Sequence, residues 1–295
     1  MKLNQLLKLI LSLTFVSQAL ATDKVLIITH SYCRPDFIEL HDKTFKAFLK
    51  DDYEYVVFND APNASMQHAI ERTCAKLNIR CIRVPQELHA HRNDAGARHI
   101  HGITYSLEQI GFDHNGIVLL IDSDMFLIKP FSINHYIKDY DISFNEQTRS
   151  NDTVRVNYLA PTLVFMNMRL LPNKRTIDFD GGIVEGLACD VGGHMYYFLK
   201  NNPSLKIKYF PATSSYHLPR DDKQLRDLGY DDTLIRFIFS AKHPYNMEFH
   251  GDNNFVHYYA GGSNWPGYSQ EHLNVKNILL NNLINHAMEY YPTKK

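Results

Sequence analysis

Five aliphatic residues in a row, Ile117-Val-Leu-Leu-Ile121, run without a polar interruption into Asp122-Ser123-Asp124, and then into Met-Phe126 and Leu-Ile-Lys-Pro-Phe131. A strand that is apolar on both faces has to be covered on both faces, as the central strands of α/β sheets are, and the chemistry of such sheets lies just past their carboxyl edge. In an extended chain alternate residues share a face. Asp122 and Asp124 are therefore expected to project together and to converge on one hard cation, Mg2+ or Mn2+. A solvated strand-to-loop turn is the competing reading, because Asp is common there.

The elements ahead of this strand alternate. Lys24–Thr29 is a β-rich apolar run ending in the polar loop His30-Ser-Tyr32-Cys-Arg34, and Pro35 opens a helix with apolar residues at near-helical spacing. Tyr53–Phe58 reads as a strand, Ser65 as the cap of a helix through Leu77, and Asn78–Val84 as a third strand. The segment from Asn93 and Asp94 leads into a helix through Ile110. This order predicts a mainly parallel sheet with right-handed crossovers, flanked by helices in one α/β domain, residues 22–295. Later, Asp141–Phe144, Pro161–Asn167 and Leu205–Phe210 read as strands, residues 217–233 as a mobile, charge-dense surface segment, and 270–289 as a terminal helix.

Residues 1–21 combine Lys2 and Lys8, the apolar run Leu9–Val16 and Ala19-Leu-Ala21, a pattern expected of a secretory signal peptide or, if uncleaved, a signal anchor. The expected location is the lumen of the endoplasmic reticulum or Golgi, or outside the cell, with membrane contact only if that segment is retained. Asn63-Ala-Ser65 and Asn151-Asp-Thr153 are glycosylation sequons in that setting. Cys33, Cys74, Cys81 and Cys189 have no metal-binding spacing; they either pair as two disulfides in any of three ways or stay buried thiols, with Cys74 and Cys81 close enough in sequence for a local bridge. With 31 basic against 32 acidic residues and no basic run, nothing points to a nucleic-acid partner.

Taken together, the aliphatic strand ending in Asp-x-Asp, the Lys129-Pro130 after it, and a late His257 followed by Gly261-Gly262-Ser263-Asn264-Trp265 resemble the GT-A-fold glycosyltransferases. The resemblance implies a single GT-A-like (Rossmann-like) domain that moves a sugar from a nucleotide-diphosphate-sugar donor to an acceptor with the help of Mn2+ or Mg2+. On this reading Asp124 is a direct metal ligand, Asp122 reaches the metal or the donor's ribose beside Ser123, and His257 is the third protein ligand. Thr29, His30, Tyr32 and Arg34 would lie near the base and ribose, and Arg98 near the diphosphate or sugar. Gly262 and Ser263 would present donors to a phosphate. For an inverting reaction Asp190 is the first candidate base, ahead of Asp180 and Glu185, and its competing role is a helix N-cap.

Two other classes fit parts of the pattern. Phosphatases of the haloacid dehalogenase type also end a strand in Asp-x-Asp, but on the first strand and with Thr or Val two residues on, where this chain has Phe126 after three earlier strands. A non-catalytic, secreted carbohydrate-binding protein of the same fold is the other.

Overall fold

In the computed structural model, which describes residues 24–241, 247–259 and 269–291, the first half alternates strand and helix. It runs β1 (Val25–Ser31), α1 (Pro35–Phe48), β2 (Tyr53–Asn59), α2 (Ala64–Leu77), β3 (Arg80–Arg83), α3 (Ala95–Ser106) and β4 (Ile117–Ile121). A short strand β5 (Met125–Leu127) and a single turn α4 (Ile133–Tyr136) lead to the long pair β6 (Ile142–Ser150) and β7 (Arg155–Asn167). Next come the small hairpin β8 (Gly182–Val184) and β9 (Leu187–Cys189), α5 (Met195–Asn201), β10 (Ile207–Tyr209) and β11 (Thr213–Ser214). The chain ends with α6 (Asp222–Asp227), α7 (Asp232–Ser240), β12 (Glu248–His250), β13 (Phe255–His257) and α8 (Gln270–Tyr290).

Seven strands form the main sheet in the order β10-β6-β7-β4-β1-β2-β3. All neighbours are parallel except β7, which runs antiparallel to both β4 and β6. Strand alternation then builds two cores. Ile117, Leu119 and Ile121 of β4 join Val25 and Ile27 against α1, α7 and α8, while Val118 and Leu120 join Leu26 and Ile28 against α3 and α5. With both faces covered, β4 is wholly buried, and its carboxyl end is where the chain first becomes polar.

A second sheet, β11-β12-β13-β5, starts where the first ends. Residues 122–124 form a tight turn rather than an extended continuation, with the Met125 amide donating to the Asp122 carbonyl at 3.1 Å, and the chain then enters β5 of the second sheet. The expected extended geometry of Asp-x-Asp is corrected accordingly.

Three further expectations change. The cap of α2 is Asn63, whose side chain accepts from the Met66 amide, not Ser65. Residues 217–233 are ordered: α6 and α7 are capped by Asp221 and Asp231, and Leu218, Leu225 and Tyr230 are buried. Its charges lie outside, with Arg226 bridging Asp222 and Asp232, while Leu218, Leu225 and Tyr230 face the core and Leu228 stays exposed. No disulfide links Cys74 to Cys81; the two thiols form a hydrogen-bonded pair between α2 and β3, and Cys189 is also a free thiol. Residues 1–21 and Gly261–Trp265 lie outside the described residues, so the signal segment and the Gly262 and Ser263 contacts have no structural counterpart here.

Candidate functional site

The site is built at the seam between the two sheets. The Asp122 amide donates to the Thr162 carbonyl at 2.9 Å, which ends the β4–β7 ladder. The Asp124 carbonyl accepts from the Tyr258 amide at 2.8 Å, and β5 pairs with β13 in the register that sets Met125 opposite His257. These backbone bonds fix a residue from the middle of the chain against one near its end. Asp124 and His257 are both buried, and His257 Nε2 lies 3.3 Å from Asp124 Oδ1. One ligand atom from each of Asp122, Asp124 and His257 falls within 4.8 Å of the others.

Four groups that sequence reasoning missed surround these three. His99, on α3, places Nε2 3.0 Å from Asp122 Oδ1. Glu248, paired directly across from His257 on β12, has Oε2 3.5 Å from His257 Nδ1, and His250 on the same face of β12 has Nε2 3.4 Å from that oxygen. Lys276 of α8 is 2% exposed and donates to the Tyr259 carbonyl at 2.8 Å. A sequence signal existed for Lys276, which sits on the helical stripe that continues through Leu280, Leu283 and Ala287. The alternation of Glu248 and His250 was visible as well, but their partner strand was not.

Charge follows from this packing. Burial pulls the His257 imidazole down, but Asp124, Glu248 and Asp122 outweigh it and bring its pKa up to about 10. Burial likewise opposes protonation of His99, yet Asp122, then Asp124 and Asp190, hold its pKa above the usual value. Burial lowers Lys276 to about 8 against the opposing pull of Asp124 and Glu248. Elsewhere burial lowers the pKa of His30 to about 3, helped by neighbouring His99, and that of His41 to about 4.

The signs of these shifts set the pH dependence of the metal-free protein. A group that binds protons more tightly when folded loses its stabilising contribution as pH rises, so His257 weakens the fold from pH 6.5 towards about 10. Lys276, with its pKa depressed to about 8, works the other way above that value and offsets the loss. His30 and His41, neutral when folded, destabilise as pH falls below 6.5 towards 4. The expected melting temperature of the metal-free protein peaks near pH 6.5, declines to about pH 8 and then levels. Saturating Mn2+ should remove the decline, because a cation ligated by His257 replaces the proton. Differential scanning fluorimetry from pH 4 to 10 with and without Mn2+ checks both arms.

The other residues singled out in the sequence are placed as follows. Thr29 is fully buried, and its Oγ1 has no hydrogen-bond partner among the described residues. His30 packs against α3, with Nε2 3.0 Å from Ser106 Oγ, in a space that exists because residue 102 is glycine: a Cβ there would sit 2.9 Å from the His30 ring. Tyr32 lies under the Arg98 guanidinium at 4.9 Å. Arg34 covers the Phe37 ring at 3.5 Å and donates to Asp36 and to Asn277 of α8. Arg98 spends its donors on Asp60 and Asn93: Nε and Nη2 reach the Asp60 carboxylate at 2.9 and 2.6 Å, and Nη1 reaches Asn93 at 2.7 Å. Ser123 is partly exposed at the head of the turn.

Asp190 is exposed on the loop after β9, where its carboxylate accepts from the Val191 amide and lies near enough to His99 to favour that residue's protonation. It does not cap α5, whose N-cap position is His194. Asp180 pairs with Arg92 at 3.3 Å and Glu185 with Lys200 at 2.9 Å. The loop of Asp190 depends on Gly192, which has φ +91° and would bring a Cβ to 2.0 Å from the Leu159 carbonyl. Gly192→Ala is expected to cost about 1–3 kcal/mol of stability and to displace Asp190, leaving Mn2+ affinity unchanged; denaturant melts and metal titration measure the two.

No family model matches the chain, and no curated protein matches its sequence. Solved structures do match. The galactosyltransferase LgtC, in complex with donor and acceptor sugar analogues, aligns over 92% of this chain and 97% of its own, at 14% identity and a TM-score of 0.43. The mannosyltransferase PcManGT from Pyrobaculum calidifontis, in complex with GDP-Man and Mn2+, aligns over 70% of this chain and 62% of its own, at 15% identity and a TM-score of 0.41. TarS of S. aureus aligns over 53% of this chain and 30% of its own, at 17% identity and a TM-score of 0.35. The chain thus spans less than two thirds of the length of the last two.

Proposed function

We propose that the protein is a GT-A-fold, metal-dependent glycosyltransferase that moves a sugar from a nucleotide-diphosphate-sugar donor to a glycan, protein or lipid acceptor. The observation that supports this most directly is the convergence of Asp122, Asp124 and His257 at the carboxyl edge of β4, from two separate sheets. Two carboxylates and one imidazole suit Mn2+, and Mg2+ to a lesser degree because it prefers oxygen. When bound, such a cation neutralises the charge that develops on a departing diphosphate.

The chain's own groups do the rest. Glu248 faces Nδ1 of His257, so an Nδ1–H directed at that carboxylate leaves the Nε2 lone pair towards Asp124. Lys276 holds a positive charge beside the same carboxylates and adds to the attraction for an anionic leaving group. His99 holds Asp122 in place. In an inverting transfer Asp190 takes the proton of the acceptor hydroxyl as that oxygen attacks the donor's anomeric carbon.

The lumen of the secretory pathway is proposed as the working location, on the strength of residues 1–21 and the exposed Asn63 and Asn151. The test of the function is a panel of UDP- and GDP-sugars incubated with the protein and Mn2+. Release of nucleoside diphosphate from at least one donor, abolished by chelation, is expected. No release from any donor, together with no donor-dependent rise in melting temperature, would refute the transferase reading.

A further inference from the structure

His257 faces two sets of ligands at once. Its Nε2 is directed at Asp124, and its Nδ1 at Glu248 and, beyond it, His250. Glu248 and His250 are two apart on β12, so they share a face, and Glu248 stands directly opposite His257 on β13. The hairpin therefore gathers one carboxylate and two imidazoles by strand register alone, and one ligand atom from each lies within 4.8 Å of the others.

The two spacings from Glu248 to the histidines are long for hydrogen bonds and suit a metal. Oε2 of Glu248 lies 3.4 Å from His250 Nε2 and 3.5 Å from His257 Nδ1. Good N–H···O bonds are about 2.7–3.2 Å, whereas ligands about 2.0–2.2 Å from a tetrahedral Zn2+ stand about 3.3–3.6 Å apart. His257 Nδ1 is buried and faces this space, with no partner among the described residues closer than the Glu248 oxygen at 3.5 Å, and both histidines are buried, at 2% and 7% exposure. Two imidazoles and one carboxylate, with a position left for water, form a ligand set that Zn2+ favours over Mn2+.

A neutral imidazole has one lone pair to give. If Nδ1 binds a metal, Nε2 carries the proton and donates it to Asp124, so His257 is lost to a cation held by Asp122 and Asp124. We propose that Glu248, His250 and His257 form a second, zinc-selective site, and that zinc bound there withdraws His257 from the Asp122–Asp124 site and so suppresses Mn2+ binding. The metal-binding part stands independently of the transferase reading; only a consequent inhibition of turnover rests on it.

The experiment uses the full chain with Zn2+ alone, then with Mn2+ in competition. X-ray absorption at the zinc edge should count two imidazoles, from His250 and His257; one imidazole would put zinc with Asp122 and Asp124 and overturn the proposal. Mn2+ resonance should show one Mn2+ released per Zn2+ bound, and retention of both metals would overturn the switch. In His250→Ala, zinc affinity should fall by more than about 100-fold, since loss of an outer partner alone costs about 10–100-fold. Mn2+ affinity should stay as it is. Unchanged zinc affinity in a folded His250→Ala protein would equally defeat the assignment, and should that variant not fold, the imidazole count on the unaltered chain decides. Neither metal count depends on turnover, so failure of the donor panel leaves the outcome readable.

Discussion

Asp124→Ala is expected to reduce Mn2+-dependent release of nucleoside diphosphate by about 10³-fold, a loss of about 4 kcal/mol in transition-state stabilisation. The residue contributes twice over. Its carboxylate is a proposed cation ligand, and it is the leading carboxylate favouring protonation of His257 in the metal-free protein. Asp124→Asn separates these roles from shape, since it keeps the side chain's volume and the backbone bond to Tyr258 while removing the charge. Both variants should bind Mn2+ weakly by titration. Both should also shrink the decline in melting temperature between pH 6.5 and 8, because the leading carboxylate that favours the extra proton on His257 is gone while Glu248 and Asp122 remain. Activity within a few-fold of the unaltered protein in either variant would remove Asp124 from the site.

Arg98→Leu is expected to lower the free energy of unfolding by about 3–5 kcal/mol, read from the denaturant midpoint at constant slope. The reason is the partner left behind. Asp60 is 5% exposed and receives Arg98 through Nε and Nη2, with His89 Nε2 2.8 Å from the same carboxylate. Removing the guanidinium strands a buried charge, whereas Asp60→Asn with Arg98→Leu removes both charges, and the pair should recover much of the loss. The same cycle decides what else Arg98 does. If it also reaches the donor, the double variant will regain stability but keep a raised donor KM; if its work is confined to the Asp60 network, KM will return with the fold.

Much of the first half was legible because its signals are local. β1 and β4 are aliphatic runs and β2 an aromatic and β-branched one, all reappearing in the structure within two residues of where the sequence places them, and Pro35 marks the start of α1. The second half hid its order in polar residues. β6 and β7 extend well beyond the short strands expected: Asn145–Ser150 is polar throughout and part-exposed, and it pairs with Arg155–Ala160, whose alternation of Arg155 and Asn157 with the buried Val156 and Tyr158 was a strand signal left unread. The charge-dense 217–233 segment concealed one capped helix and the capped start of another, whose buried Leu225, Leu234 and Ile235 anchor them to the core.

The site was legible only in part, for a related reason. Asp122 and Asp124 declare themselves at the end of an apolar strand, and His257 has distinctive neighbours. His99, Glu248, His250 and Lys276 become their neighbours through the crossing of elements far apart in the chain, which no short spacing encodes. The turn at 122–124 was missed because it depends on β5 leaving the first sheet for the second.

That change of sheet also gives the site a time of birth. Asp124 emerges during synthesis with most of the main sheet, but the strand carrying His257 follows some 130 residues later, a delay of roughly 7–27 s at about 5–20 residues per second. Until β13 docks on β5, the growing chain holds only the two carboxylates. On the proposed metal-binding reading, a nascent or truncated chain ending before residue 257 would be a poor metal scavenger, and metal loading would report that the last third of the protein has folded.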